Sequence, residues 1–176
     1  MARPLILIIA AVPVLLAILI AIPMITNPQI PFTATNSDDR ISIELTKYNL
    51  KKVSLGVTDR LTPLKSEILT ISNEGNVRYL VTENEQPLPE RIMTLEKPQV
   101  KKLTALIKET GFMQIPIDSI PADESISEFV KFSLKVTLNG NTKQIQWSEG
   151  NATSTFVPPI ITMVESELEN IIQKFN

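Results

Sequence analysis

The fold is decided by residues 132–147, which read FSLKVTLNGNTKQIQW. The Asn-Gly pair at 139–140 is the preferred two-residue turn of a β-hairpin, because both turn positions adopt a positive φ. The register that this turn sets places Phe132 opposite Trp147, with the other apolar side chains on the same side. The intervening positions carry Ser, Lys, Thr and Gln. The stretch therefore predicts an antiparallel hairpin with one apolar face and one solvated face.

A second hairpin is predicted upstream, around a loop at residues 73–75. The segments that flank this loop are rich in apolar side chains, and the glycine of the loop suits a positive φ. In this register Ile71 faces Val77 on one side of the ladder, while Ile68 faces Leu80 on the opposite side. The first of these sides is the one that a helix can cover.

An amphipathic helix is predicted after each hairpin, over residues 97–110 and over residues 159–175. In both segments the apolar side chains recur at helical spacing. Pro98 near the start and Gly111 just past the end delimit the first helix. The inward positions of the first helix are Val100, Leu103, Leu106 and Ile107. Those of the second are Ile160, Met163, Val164, Leu168, Ile171, Ile172 and Phe175, with Glu165, Glu167 and Glu169 outward.

One further strand precedes the hairpins, because Ile41, Ile43 and Leu45 alternate with polar residues. Residues 48–65 keep no single period and contain Pro63, so we interpret them as an extended excursion between strands. The predicted fold class is α+β. It is a two-layer domain with a mostly antiparallel sheet, made of two hairpins plus one strand, and with two helices on one face.

The order of these elements is similar to that of a class of small envelope-attached domains. In those domains a hairpin, a helix that ends in a Gly-Phe pair, a second hairpin and a closing helix follow one another, and here the pair is Gly111-Phe112. The resemblance covers residues 67–175 at the level of pattern. It includes no diagnostic motif and implies no activity.

The amino-terminal end is predicted to span a membrane. Residues 5–25 form an uncharged run of 21 residues that contains 14 Leu, Ile or Val. A helix of about 20 residues is ~30 Å long, which matches the hydrocarbon core of a bilayer. We therefore predict a transmembrane anchor or uncleaved signal at residues 1–25, a flexible linker at residues 26–40 and an extracytoplasmic α+β domain at residues 41–176. A cleaved signal peptide is the alternative, with Ala21 at a poorly matching cleavage site.

Flanking charge predicts the orientation of this anchor. Arg3 and the amino terminus precede the apolar run, whereas the chain beyond it is uncharged until Asp38. Positive flanks stay on the cytoplasmic side. We therefore expect a single-pass protein of the cell membrane, with its amino terminus in the cytoplasm, residues 5–25 in the lipid bilayer and the carboxyl-terminal domain outside.

Composition excludes several kinds of chemistry. The chain has 176 residues with neither Cys nor His, so it has no thiolate nucleophile, no disulfide and no His general base. Its five glycines do not cluster into a phosphate-binding loop. A formal net charge of -2 and few aromatic residues argue against a nucleic-acid partner. We therefore predict a protein that is not an enzyme and has no catalytic residue, cofactor or metal.

Three features remain as candidate sites. Ile68 and Leu80 lie on the face that should be wet, so we expect residues 50–64 to cover them; otherwise they are interface residues that contact another protein. Asn151 begins the only Asn-x-Thr sequon and is a candidate glycosylation acceptor. The third feature is an acidic loop whose spacing fits no EF-hand, and we interpret it as solvated rather than as a calcium site. Its members are Asp118, Asp123, Glu124 and Glu128.

The function that these features favour is that of a non-enzymatic accessory or scaffold subunit of a membrane protein complex, anchored by a single span and extracytoplasmic. Its expected partners are the lipid bilayer and other membrane or envelope proteins. One alternative is a membrane-anchored sensor or small-ligand binding module with a pocket between sheet and helices. Another is a secreted inhibitor, which requires that the anchor be cleaved.

Overall fold

The computed structural model describes residues 35–54, 56–123 and 125–175. The predicted anchor at residues 1–25 and most of the predicted linker lie outside these residues. Within the described ranges, no helix is both long enough and apolar enough to cross a membrane.

The described chain folds into one antiparallel sheet and two helices, as the sequence predicts. The strands are β1 (Ile41–Ser54), β2 (Asp59–Ile71), β3 (Asn76–Glu83), β4 (Gln86–Pro87), β5 (Arg91–Thr94), β6 (Glu128–Leu138) and β7 (Asn141–Ser148). The helices are α1 (Lys97–Glu109) and α2 (Pro159–Ile172). The strands lie side by side in the order β4-β3-β2-β1-β6-β7, with β5 also paired to β3. Strand β1 is therefore central, and the two predicted hairpins lie on either side of it.

Both predicted hairpin registers are confirmed. In β6–β7, Phe132 pairs with Trp147. The turn residues Asn139 and Gly140 have φ values of 52° and 85°, as a turn of this type requires. In β2–β3, Ile68 pairs with Leu80.

The interpretation of residues 48–65 as an excursion between strands is wrong. These residues continue β1 and β2 as a long hairpin, whose pairing extends from Ile43–Ile71 to Ser54–Asp59. We call its outer part, residues 50–64, the arm. The register shifts between Asn49 and Leu50, so that Leu64 is an extra residue in β2. This bulge inverts the alternation of β2, which is why no single period is visible in the sequence.

Most of the hydrophobic core lies between one face of the sheet and the two helices, and a smaller buried cluster of Leu50, Phe129 and Ala152 is separate from it. We call the face that the helices cover the inner face and the opposite side of the sheet the outer face. Inner-face side chains such as Ile43, Leu134 and Ile145 have no exposed surface. Helix α1 buries Leu103, Leu106 and Ile107, and Gly111, two residues beyond its last residue, adopts the left-handed conformation (φ 69°). The core residues of α2 are Ile161, Val164, Leu168, Ile171 and Ile172.

The inward stripe of α2 is rotated relative to the prediction. The side chain of Met163 is 47% exposed and that of Ile161 is fully buried, whereas the sequence pattern predicts Met163 as inward. Glu165, predicted as outward, is partly buried. At about 100° per residue, Glu165 lies about 40° around the helix from Ile161, whereas Met163 lies about 160° away. The helix ends at Ile172, and a 3₁₀ turn, Gln173–Phe175, follows it.

Candidate functional site

The predicted interface residues lie on the outer face of the sheet. Ile68 of β2 and Leu80 of β3 are directly paired and both are partly exposed. Arg78, two residues before Leu80, pairs with Ile92 of β5, so Ile92 and Leu80 are diagonal neighbours on the same face. The side chain of Ile92 is 68% exposed. We call Ile68, Leu80 and Ile92 the outer patch.

The expectation that residues 50–64 cover Ile68 and Leu80 is wrong. The arm continues in the plane of the sheet, because its residues pair with one another from Leu50–Pro63 to Ser54–Asp59. Both helices pack on the inner face. The outer patch is therefore apolar surface on the side of the sheet that the helices leave uncovered.

The inner face carries a polar cluster that no motif revealed. Lys47 of β1 lies with its Nζ 3.0 Å from Oε1 of Glu169 on α2 and 5.6 Å from the centre of the Phe132 ring. The neighbouring position across β1–β2 is Glu67, whose Oε2 accepts a hydrogen bond from the Tyr79 hydroxyl at 2.5 Å. The cluster thus ties α2 to the sheet through a cation over an aromatic ring and an ion pair.

The positive and negative side chains of this cluster compensate one another. Burial acts to raise the pKa of Glu67, but the hydrogen bond from Tyr79 and the ion pair with Lys65 outweigh it and hold the pKa of this carboxyl below its ordinary value. Burial and the hydrogen bond to Glu67 both raise the pKa of Tyr79. Glu67 is therefore ionised and Tyr79 protonated at neutral pH. Lys65 Nζ, 3.0 Å from Oε1 of Glu67, compensates the charge.

A surface cleft of about 500 Å³ opens beside this cluster, where α2 borders β6 and β7. Phe132 and Trp147, whose stacked rings have centroids 5.3 Å apart, line it together with Glu165 and Glu169. Burial raises the pKa of Glu165, and the charge of Glu169 raises it further, while the hydrogen bond from Trp147 and the charge of Lys47 oppose the shift. The cleft thus combines an aromatic wall with two carboxylates.

The described side chains of the acidic loop each contact a different partner. Asp118 contacts Lys143 on β7 at 2.5 Å, and Asp123 accepts hydrogen bonds from the backbone N–H and hydroxyl of Ser125. Glu128 forms an ion pair of 2.7 Å with Lys51 on the arm. Glu124 lies outside the described residues. Among the residues that are described, no group of three acidic side chains converges on a position suited to a metal ion.

The candidate glycosylation acceptor is accessible. Asn151 lies in the middle of a short 3₁₀ turn, Gly150–Ala152, and its side chain is exposed. The neighbouring Ala152 is buried and holds the turn against the domain. Use of Asn151 as an acceptor remains a prediction.

No protein-family model and no curated protein matches this chain. Two charged residues of the inner cluster nevertheless leave a signal in the sequence. Lys47 continues the inward alternation of Ile43 and Leu45, and Glu67 precedes the inward Leu69 by two residues. A charge at an inward strand position indicates a paired or functional side chain.

Proposed function

We propose that this chain is a non-enzymatic accessory or scaffold subunit of a membrane protein complex, with a single span and an extracytoplasmic domain. In this proposal the outer patch binds another membrane or envelope protein. The observation that supports it is the outer patch itself, in which three aliphatic side chains lie together on the sheet face opposite the helices. Apolar contact with a partner would remove Ile92, now 68% exposed, from water.

The proposed location in the cell membrane is supported by the sequence run at residues 5–25. Its uncharged length matches a bilayer, and the charge of Arg3 favours a cytoplasmic amino terminus. Protease added to intact cells should cleave the domain, and alkaline washing should leave the chain in the membrane fraction. Protection from protease, or release by washing, would contradict this placement.

The test of partner binding is a paired substitution in the full-length chain. Leu80→Glu places a charge in the outer patch, whereas Met163→Glu places the same charge on the exposed side of α2, where the side chain is 47% exposed. We expect proteins that co-purify with the unmodified chain in mild detergent to be lost with Leu80→Glu and retained with Met163→Glu. Equal retention would remove the outer patch as the binding surface.

The cleft beside α2 supports a second candidate, a membrane-anchored sensor or small-ligand binding module. Its aromatic wall and the carboxylates of Glu165 and Glu169 offer both apolar contact and polar specificity. Ligand binding there would survive Leu80→Glu and be weakened by Glu169→Gln. The secreted inhibitor requires a cleaved anchor, and a mature amino terminus near Ile22 would favour it.

A further inference from the structure

A second concave site lies on the outer face, between the arm and the loop that precedes β6. Its volume is about 360 Å³, at the lower end of the range for small-molecule pockets (about 300–1,000 Å³). We call it the outer pocket. Its apolar lining consists of Leu61, Ile120, Pro121, Ala122, Ile126 and Phe129.

The walls of this pocket are held by backbone hydrogen bonds. The N–H of Ile120 donates to the carbonyl of Gln146 on the edge strand β7 at 2.8 Å, and that of Asp123 donates to Ala152 at 2.8 Å. The N–H of Lys52 donates to Ser127 at 2.6 Å, which joins the arm to the same loop. The pocket is therefore formed before any ligand arrives. The N–H groups of Ile120, Asp123 and Lys52 are therefore not available to a ligand, and Pro121 has no N–H.

Two lysines and two aspartates are among the described residues that line the pocket, namely Lys52, Asp59, Asp123 and Lys131. Lys52 and Asp59 form an ion pair of 3.0 Å, and the carboxylate of Asp123 accepts from Ser125. Lys131, which also lines the pocket, makes no ion pair within the described part of the chain. Asp123 keeps its negative charge, but its carboxylate has hydrogen-bond donors. Lys131 has neither an ion pair nor a side-chain hydrogen bond among the described residues, so the occupant that complements it has an apolar body and a negative group.

We propose that the outer pocket binds a medium-length aliphatic monocarboxylate. The aliphatic chain lies against Phe129 and Leu61, whose side chain is 48% exposed without a ligand, and the carboxylate meets the ammonium of Lys131. A polypeptide carboxyl terminus has the same carboxylate, but its amide groups also need hydrogen-bond partners, and four residues of the walls have no free backbone N–H to donate. A fatty-acid type of ligand makes no such demand.

This site is distinct from the outer patch. Leu61 and Ile68 are seven positions apart on β2, which corresponds to ~23 Å along a strand. Binding of a monocarboxylate in the outer pocket therefore does not depend on the proposed protein partner. Leu80→Glu should leave monocarboxylate binding unchanged.

The experiment follows the isoleucine methyl groups by NMR in the full-length chain, held in nanodiscs and titrated with octanoate. We expect saturable shifts at Ile120 and Ile126, which line the pocket, and none at Ile43 in the core. Lys131→Gln should weaken binding by about tenfold, because a charge-assisted contact is lost. Lys135→Gln is the matched control, since Lys135 lies on the outer face of the same strand but does not line the pocket; it should bind as the unmodified chain does.

Two further ligands test which chemical group the outer pocket recognises. Octylamine should bind more weakly than octanoate, because it presents a cation to Lys131. Equal affinities for the two, an unchanged affinity in Lys131→Gln, or no saturable shift with octanoate would overturn the proposal. Tighter binding of acetylglycylleucine than of octanoate would also overturn it, because the pocket would then recognise a polypeptide carboxyl terminus. An unchanged Ile43 methyl signal in each variant shows that the fold is intact.

Discussion

The two faces of the sheet come from the same strands and differ in what covers them. On the inner face Leu134 and Ile145 are completely buried beneath the helices. On the outer face Ile68 and Leu80 are paired just as well, yet they stay partly exposed because both helices pack on the other side. Alternation along a strand therefore decides which side chains share a face, whereas the layer above decides whether that face becomes a core.

The energetic difference between the faces follows from burial. Covering an aliphatic side chain completely stabilises the folded state by about 1.5–3 kcal/mol relative to leaving it exposed. On the inner face, the helices of the same chain provide this burial. The side chains of the outer patch are only partly buried, so they gain the rest of the stabilisation only when another molecule covers them. This gain is the physical basis of the proposed interface.

The largest effect should distinguish a core leucine from an outer one. Leu134→Ala is expected to lower the free energy of unfolding by about 2–5 kcal/mol, because it leaves a cavity in a fully buried site. Leu80→Ala should cost clearly less, since its site is already partly open to water. Denaturant unfolding followed by the fluorescence of the single tryptophan, Trp147, measures both. Equal losses would mean that the outer face is a core as well.

The second effect concerns a close approach between the first hairpin and the segment that leads into α1. Gly75 has a φ of +86°, and a Cβ there would lie 2.6 Å from the carbonyl oxygen of Leu95. Gly140 has the same kind of φ, +85°, but open space around it. A positive φ alone costs a residue with a Cβ about 1–2 kcal/mol, so we expect that loss for Gly140→Ala and a larger one for Gly75→Ala.

The same unfolding measurements provide the test. Losses of equal size in Gly75→Ala and Gly140→Ala would show that the contact with Leu95 relaxes easily. The packing between the first hairpin and the segment that leads into α1 would then be more adaptable than the burial of Gly75 indicates.

A smaller effect should depend on pH. The pKa of Glu165 is raised by burial and by Glu169, so ionisation of this side chain is harder in the folded than in the unfolded chain. Its contribution to stability is fully present below the unfolded pKa and is lost as the pH rises through the folded pKa. Glu165→Gln should therefore be more stable than the unmodified chain at neutral pH, and the gain should vanish near pH ~3.

Glu44 supplies the control for this prediction, because it is an exposed carboxylate on the outer face of β1. The Glu44→Gln variant should show no comparable gain in stability at neutral pH. If both variants gained equally, a general reduction of negative charge would explain the effect rather than the burial of Glu165.

The smallest change in stability is expected for Leu80→Glu, the substitution that should have the largest effect on partner binding. Leu80→Glu is expected to lower the free energy of unfolding by about 1 kcal/mol or less, because its site is already partly open to water, while abolishing partner binding. A loss of several kcal/mol would mean that Leu80 contributes to the fold, and its effect on binding could then be indirect.

The sequence predicted the parts of the fold that local chemistry determines. The Asn-Gly turn at 139–140 sets the register of β6–β7, and the loop that ends at Gly75 sets the register of β2–β3. Both were predictable because few residues suit a turn position with a positive φ. Both helices begin at the predicted residue, each with a proline in its first turn. Such signals act within a few residues and need no tertiary information.

The parts that were missed depend on distant contacts. The bulge at Leu64 is stabilised by pairing that the sequence pattern does not display. Strands β4 and β5 contain two and four residues, too few for a period to emerge. The rotation of α2 is set by the surface it packs on, and the outer pocket exists only because the loop around Ile120 is hydrogen-bonded to β7.

The central position of β1 has a mechanical consequence. The chain enters the sheet at Ile41, at one end of a strand that is bonded to β2 on one side and to β6 on the other. If residues 26–40 transmit tension from an anchored span, the load falls on two ladders at once and acts along them in shear. An edge strand pulled in the same direction would have only one ladder to share the load. The chain thus enters the domain on a strand that is held by hydrogen bonds on both of its sides.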